Sequence, residues 1–178
     1  AASDVSDREA LQELLAQIPD SHPLGAVFHC AGALADATVE RLTAEQLDAV
    51  LAPKAGAAWH LHELTREANL TAFVLYSSAA GTLGGPGQGN YAAANAFLDA
   101  LAQKRAAEGL PATSIAWGLW QREGMGARLS EADIARLRRG GATPLTDEQG
   151  TALLEGALAG REANPIALPL ETRGLRAL

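Results

Sequence analysis

Residues 70–108 constrain the fold more than any other stretch. LTAFVLYSS (70–78) is a short apolar run rich in β-branched and aromatic residues, which predicts a buried strand. AAGTLGGPGQGN follows with turn chemistry, and from Tyr91 the sequence YAAANAFLDALAQKRAAEG places Phe97, Leu98 and Leu101 at helical spacing. Ser78 therefore falls at a strand's C-terminal end, Tyr91 opens a helix, and Asn95 lies four residues on, along the same helical face. Ligands of an open α/β sheet bind in the crevice beyond the carboxyl ends of its strands. With Lys54 upstream, a phenol, a hydroxyl, an amide and an ammonium can together deliver a proton to a carbonyl oxygen.

The rest of the chain alternates in the same way. Ser6-Asp7-Arg8-Glu9 is a capping-box pattern, continued by Leu11, Leu14 and Leu15 as an amphipathic helix that ends near Pro19. Leu24 to His29 reads as a buried strand. Thr43 to Gln46 is a second capping box, opening a long helical stretch through Leu47, Val50, Leu51, Trp59, Leu61 and Leu64, with Pro53 as a kink or break. Strand, helix and strand follow at about 71–77, 91–108 and 112–117, then a helix from Asp147 to Leu158 and a closing strand from Ile166 to Leu170. This order predicts an α/β fold, a Rossmann-like doubly wound parallel sheet with helices on both faces.

With 178 residues, 48% of them hydrophobic, one globular domain is expected. A net charge of −7 argues against nucleic acid or an anionic membrane as the main partner. The one cysteine, Cys30, cannot form an internal disulfide, which suits a reducing cytoplasm. No apolar run approaches the length of a membrane span, and the first residues lack the regions of a signal peptide. A soluble, cytoplasmic protein is the expectation.

Each residue also has an ordinary reading. Taken singly, Tyr91 is a packing residue at the start of a helix and Ser78 merely ends a strand; only the joint arrangement favours chemistry. GTLGGPGQGN lacks the Gly-Lys-Ser/Thr ending of a phosphate cradle, so a mobile active-site loop is the better reading. His60 and His62 are two apart on a helix and point to different sides, His22 and His29 are scattered, and Cys30 is expected to pack as a small apolar group. No metal is expected.

Several stretches carry a family resemblance: VFHCAG (27–32), Pro53-Lys54-Ala55-Gly56, HLHELT from His60, FVLYSSAAG from Phe73, GNYAAANAFLDALA from Gly89 and SIAWGLW from Ser114. Together with Tyr91 and Ser78 they resemble the short-chain dehydrogenase/reductase superfamily, and more narrowly the ketoreductase domains of modular (type I) polyketide synthases. Ordinary members place their lysine four residues after the tyrosine, where this chain has Asn95, and an asparagine where it has Lys54. That exchange is typical of the synthase ketoreductases.

The resemblance implies reduction of a β-ketoacyl thioester, borne by the phosphopantetheine of an acyl carrier protein, to the β-hydroxyacyl thioester with NADPH. Tyr91 would protonate the oxygen, its pKa of about 10 lowered by the Lys54 ammonium. Lys54 would contact the nicotinamide ribose and pass protons, Ser78 would bond the carbonyl, and Asn95 would hold the lysine or a relay water. Asp4 and Val5 match an adenine-contacting pair, and Ala31, Gly32, Trp117, Gly118 and Leu119 border the cofactor. Residues about 121–146 match a helical lid, with Gly124 and Met125 as substrate neighbours and a short helix from Ser130 to Arg139, closed by Gly140 and Gly141. A plain solvated helix is the other reading of that stretch, with Arg136, Arg138 and Arg139 facing water.

No glycine-rich fingerprint follows a first strand, so the chain is expected to be the C-terminal portion (1–178) of a ketoreductase catalytic domain. Two N-terminal βαβ units, about 60 residues, and other synthase domains would lie outside it. Leu34-Ala35-Asp36 resembles the Leu-Asp-Asp motif of reductases giving a d-configured hydroxyl. Leu83 stands where the opposite class carries tryptophan, Gln88 is not the histidine of some members, and Ala93 is not the proline linked to methyl epimerisation. Asp36 can equally cap a helix before Glu40. Two other functions stay open: a non-catalytic scaffold that docks carrier protein or neighbouring domains, and a free-standing reductase of another carbonyl compound.

Overall fold

The computed structural model describes residues 3–121 and 141–170. Among them, β1 (Ala26–His29), β2 (Ala72–Ser78), β3 (Thr113–Trp117) and β4 (Ile166–Ala167) form one sheet in sequence order, every pair parallel. The register aligns His29 with Leu75 and Ser78 with Trp117, so the C-terminal ends of β1, β2 and β3 open on one side. Six helices accompany the strands: α1 (Arg8–Ala16), α2 (Ala44–Leu51), α3 (Ala57–Leu64), α4 (Ala79–Leu83), α5 (Gly89–Ala107) and α6 (Asp147–Ala159).

Strand side chains alternate between faces, and each face has its own core. Phe73 and Leu75 pack with Leu11 of α1, Leu61 of α3, and Leu98 and Leu101 of α5. Val74, Ile115, Trp117 and Ala167 pack with Leu145, and with Leu154 and Ala157 of α6. Helices therefore cover both faces of a parallel sheet, as the alternating pattern predicts. Trp120 reaches α6 because residue 150 is glycine; a Cβ there would stand 2.0 Å from the indole. At the far end of α5 the buried Arg105 stacks over Phe73 with 3.9 Å to the ring centre, donates to Pro111 O and meets His62 Nδ1 at 3.0 Å.

Several boundaries differ from expectation. Asp7, not Ser6, caps α1, accepting from the backbone N–H groups of Glu9 and Ala10. Ser6 is already engaged, donating both its N–H and its hydroxyl to Asp4 Oδ1. The Thr43–Gln46 capping box forms as expected, and Thr146–Gln149 makes another.

Pro53 does not break the long helix. A π-helical turn (Ala52–Gly56) joins α2 to α3, with the Ala57 N–H reaching Ala52 O. The wider turn accommodates the missing proline N–H, and such turns recur at functional positions. β4 stops before Pro169, which cannot donate to a ladder, and Leu170 forms only an isolated bridge to Ala142. Asp36 caps no helix; Thr38 precedes the short 3₁₀ turn at Val39–Arg41. No described helix is long and apolar enough to cross a membrane.

Candidate active site

The π-helical turn aims Lys54 at the sheet. Its side chain runs under Gly32, where a Cβ would stand 2.9 Å from Lys54 Cε, so glycine there leaves room for the lysine. The ammonium donates to Tyr76 O of β2 at 2.7 Å and to Asn95 Oδ1 of α5 at 2.9 Å. Asn95 in turn donates to Tyr91 O at 2.8 Å, and its own carbonyl accepts from Ser77 at 3.3 Å. Gly81 of α4 permits close approach to the same asparagine, since a Cβ there would lie 3.0 Å from Asn95 Cβ. Behind the turn, His29 Nε2 lies 3.2 Å from Lys54 O and ties the turn to the end of β1. The lysine amine and the tyrosine, 37 positions apart in sequence, thus meet with 5.4 Å between Nζ and the ring centre.

The electrostatics follow from burial. Lys54 is 2% exposed, and desolvation lowers its pKa from 10.5 to about 8 against the opposing pull of Asp99 and Cys30. Burial also pushes the Tyr91 phenol above its ordinary value, while the nearby Ser78 and Asn95 side chains pull it down and the Asp36 charge adds to the rise.

The expected lowering of the Tyr91 pKa is therefore not found. Lys54 spends two donors on Tyr76 O and Asn95 and lies over the ring, while burial is the largest influence on the phenol, so desolvation wins. A phenol in this setting is protonated at neutral pH, which is the state a proton donor needs. Ser78 lies at the end of β2, where its Oγ accepts from Ala80 N–H at 3.2 Å and caps α4. Its hydroxyl proton is not used in that bond.

Around this centre the segment 34–37 lies against the start of α5. Leu34 and Ala35 pack on Val50, Tyr91 and Ala94. Gln88 donates to Asp36 Oδ2 at 3.0 Å, and Ala37 N–H donates to Gly87 O at 2.9 Å. Asn90 joins them: its Nδ2 donates to Ala35 O and to Gln46 O, and its Oδ1 accepts from Tyr91 N–H. Its position in the sequence, directly before Tyr91, signals a helix start and nothing of these long-range bonds. Leu83 is exposed at the end of α4.

The remaining candidates are dispersed. Trp117 points to the sheet face opposite α5, against Tyr76 and Trp120, with its indole N–H unpartnered among the described residues. Gly118 is held by its N–H to Ala167 O, and Leu119 O accepts from Leu145 N–H, so the two ends of 121–146 lie together. Ala31 is half-buried beyond β1. Asp4 and Val5 precede α1, where Val5 packs on the first core, and they do not join the Lys54–Asn95 group.

Cys30 is exposed rather than packed, because it sits past the end of β1 at the mouth of the crevice. Lys54 is close enough to draw its thiol pKa down, although desolvation raises it more. The expected loop 81–90 is partly helical, since the end of α4 and the first residues of α5 are built from it. Gly124, Met125 and the Ser130–Gly140 stretch lie outside the described residues. Among those described, no three His, Cys, Asp or Glu side chains gather as a metal-holding group.

The KR domain family profile matches residues 1–122. The chain belongs to the KR domain family. It is 57% identical over 175 residues to the polyketide synthase GfsB of Streptomyces halstedii, covering 98% of this chain and 3% of that protein. It is 52% identical over 158 residues to the mycoketide-CoA synthase of Mycobacterium tuberculosis, covering 88% of this chain and 4% of that protein.

Among solved structures, an A-type ketoreductase from a modular polyketide synthase superposes with a TM-score of 0.91 at 44% identity, over 98% of this chain and 37% of that one. The first ketoreductase of the tylosin synthase gives 0.87 at 42% identity, over 99% of this chain and 38% of that one. This KR chain therefore spans a few per cent of its curated relatives and somewhat over a third of the solved ketoreductases. Its α/β sheet is that of the ketoreductases, members of a superfamily that uses nicotinamide cofactors.

Proposed function

We propose that residues 1–178 form the C-terminal portion of a ketoreductase catalytic domain, with residues about 121–146 as its lid. The reaction is reduction of a β-ketoacyl thioester on an acyl carrier protein to the β-hydroxyacyl thioester, with NADPH, in the cytoplasm. The observation that carries the reading is the buried Lys54 amine, bonded to both Tyr76 O and Asn95 Oδ1 beneath Tyr91.

The residues divide the work by their chemistry. Negative charge develops on the keto oxygen as the carbon is reduced, and donors placed nearby lower that barrier. Ser78 keeps its hydroxyl proton for the oxygen, and Tyr91, neutral at working pH, supplies the proton that completes the alcohol. Asn95 holds the ammonium close to the resulting phenolate. With a pKa of about 8, Lys54 releases and regains a proton near neutral pH, so it can reprotonate the tyrosine.

A nicotinamide cofactor supplies the hydride when bound. The residues present fit one: an ammonium has three donors, and two are engaged among the described residues, which leaves the third for a ribose hydroxyl. Ala31, Gly32, Gly118 and Leu119 supply small or backbone surface at the strand ends, and Trp117 is assigned beside them by its place at the end of β3. Asp4 and Val5 are assigned to the adenine, and Gly124 and Met125 to the substrate.

Asp36 and the absence of tryptophan at Leu83 favour a d-configured hydroxyl, and Ala93 favours reduction without epimerisation. The test uses a polypeptide that includes this chain at the length of the solved ketoreductases, a diketide β-keto thioester, and NADPH or NADH. NADPH oxidation with formation of the β-hydroxy thioester supports the assignment. A folded protein that oxidises neither cofactor with any β-keto thioester refutes it.

A further inference from the structure

Asn90 is 1% exposed, and both halves of its amide are used. Its Nδ2 donates to Ala35 O at 2.9 Å and to Gln46 O at 3.3 Å, while its Oδ1 accepts from Tyr91 N–H at 2.9 Å. One side chain thus fastens three things: the segment 34–37, the first turn of α2, and the backbone that carries the proton-donating phenol.

A second, exposed bond repeats the connection, since Gln88 Nε2 donates to Asp36 Oδ2 at 3.0 Å, and Ala37 N–H to Gly87 O reinforces it. Segment 34–37 is therefore a wall of the crevice beside Tyr91, near enough for the Asp36 charge to act on the phenol. A planar ketone can present either face to a fixed proton donor, and the walls beside that donor decide which.

We propose that Asn90 is a positioning residue for the reduction: it sets segment 34–37 against Tyr91, and through that spacing it selects the face of the keto group that is reduced. The Gln88–Asp36 bond is the outer half of the same clasp. This rests on the ketoreductase reading above. Asn90 is buried and acts through what it holds: its effect is transmitted through segment 34–37 and Tyr91.

The experiment compares wild type, Asn90→Ala and Gln88→Glu in the full-length ketoreductase domain, with a diketide β-keto thioester. It measures kcat, KM, melting temperature and the ratio of the two hydroxyl configurations. Wild-type turnover checks the ketoreductase reading, and the variants check the clasp. Misplacing a reacting group by about 1 Å costs up to 100-fold in rate. Asn90→Ala is accordingly expected to lower kcat about tenfold and to raise the minor configuration about tenfold, with KM changed less.

Gln88→Glu sets a carboxylate against Asp36 on the surface, where folding is not at stake, and is expected to raise the minor configuration too. An unchanged product ratio in Asn90→Ala, with only a lower melting temperature, makes the residue purely structural and overturns the proposal. If Asn90→Ala does not fold, an unchanged ratio in Gln88→Glu overturns it in the same way.

Discussion

Lys54→Met tests what burying this lysine costs the fold. The folded lysine titrates at about 8 against 10.5 because burial penalises its charge. A depressed lysine pKa means that the unfolded chain holds the proton more tightly than the folded one. The resulting cost to folding is complete below about pH 8, shrinks as pH rises, and is gone above 10.5. At about 1.36 kcal/mol per pH unit, it amounts to roughly 3 kcal/mol at neutral pH.

Methionine removes that cost but takes the ammonium from both Asn95 Oδ1 and Tyr76 O, at about 1–3 kcal/mol each. The effects largely offset, so the variant is expected within about 3 kcal/mol of wild type at neutral pH. Raising the pH from about 7 to about 9.5 should then favour wild type over the variant by about 2 kcal/mol. Denaturant unfolding at both pH values reads this difference. A variant less stable than wild type by more than about 3 kcal/mol, with no change across that range, refutes the reasoning.

Three further outcomes follow. His62 meets Arg105 at 3.0 Å, and burial, then the arginine charge, lower its pKa, so the stability tied to neutral His62 is complete above about 6.5 and is lost as pH falls below that toward the lowered folded value. His62→Gln should flatten the acid limb of the stability profile, and an unaltered limb contradicts this. Gly150→Ala should destabilise by about 1–3 kcal/mol, because the added methyl meets Trp120; an unchanged melting temperature shows that α6 yields freely. Asn95→Ala should lower kcat about 10- to 100-fold while KM for the thioester changes little, since it releases Lys54 rather than the substrate; a rise in KM alone counts against that role.

The layering was legible in the sequence because periodicity and capping are local. The runs around Val74 and Ile115, the Thr43–Gln46 box and the helix after Tyr91 each declare themselves within a few residues. The pairing of Lys54 with Asn95 spans 41 positions and came from resemblance, not from spacing.

What stayed hidden depends on the burial and aim of single side chains. Pro53 reads as a kink or break, and which of these it is stays hidden: a π-helical turn absorbs it and turns Lys54 toward the sheet. Ser6 fits a capping box but is taken by Asp4, and Cys30 has the residue type of a core position while lying past the last paired residue of β1. The rise of the Tyr91 pKa is not legible either, because an ammonium nearby in sequence pattern says nothing about where its protons point. Asn90 could not be singled out, since two of its three bonds run to residues more than 40 positions away.

Turnover of a diketide β-keto thioester by the full-length domain, with and without the Tyr91→Phe change, tests the central claim most directly. The ring packs on Val50 and Ala94 without help from the hydroxyl, so the variant should keep its fold. Its NADPH oxidation should fall by about 10²- to 10⁴-fold, the usual worth of a positioned acid. A folded Tyr91→Phe protein that turns over as fast as wild type contradicts the account.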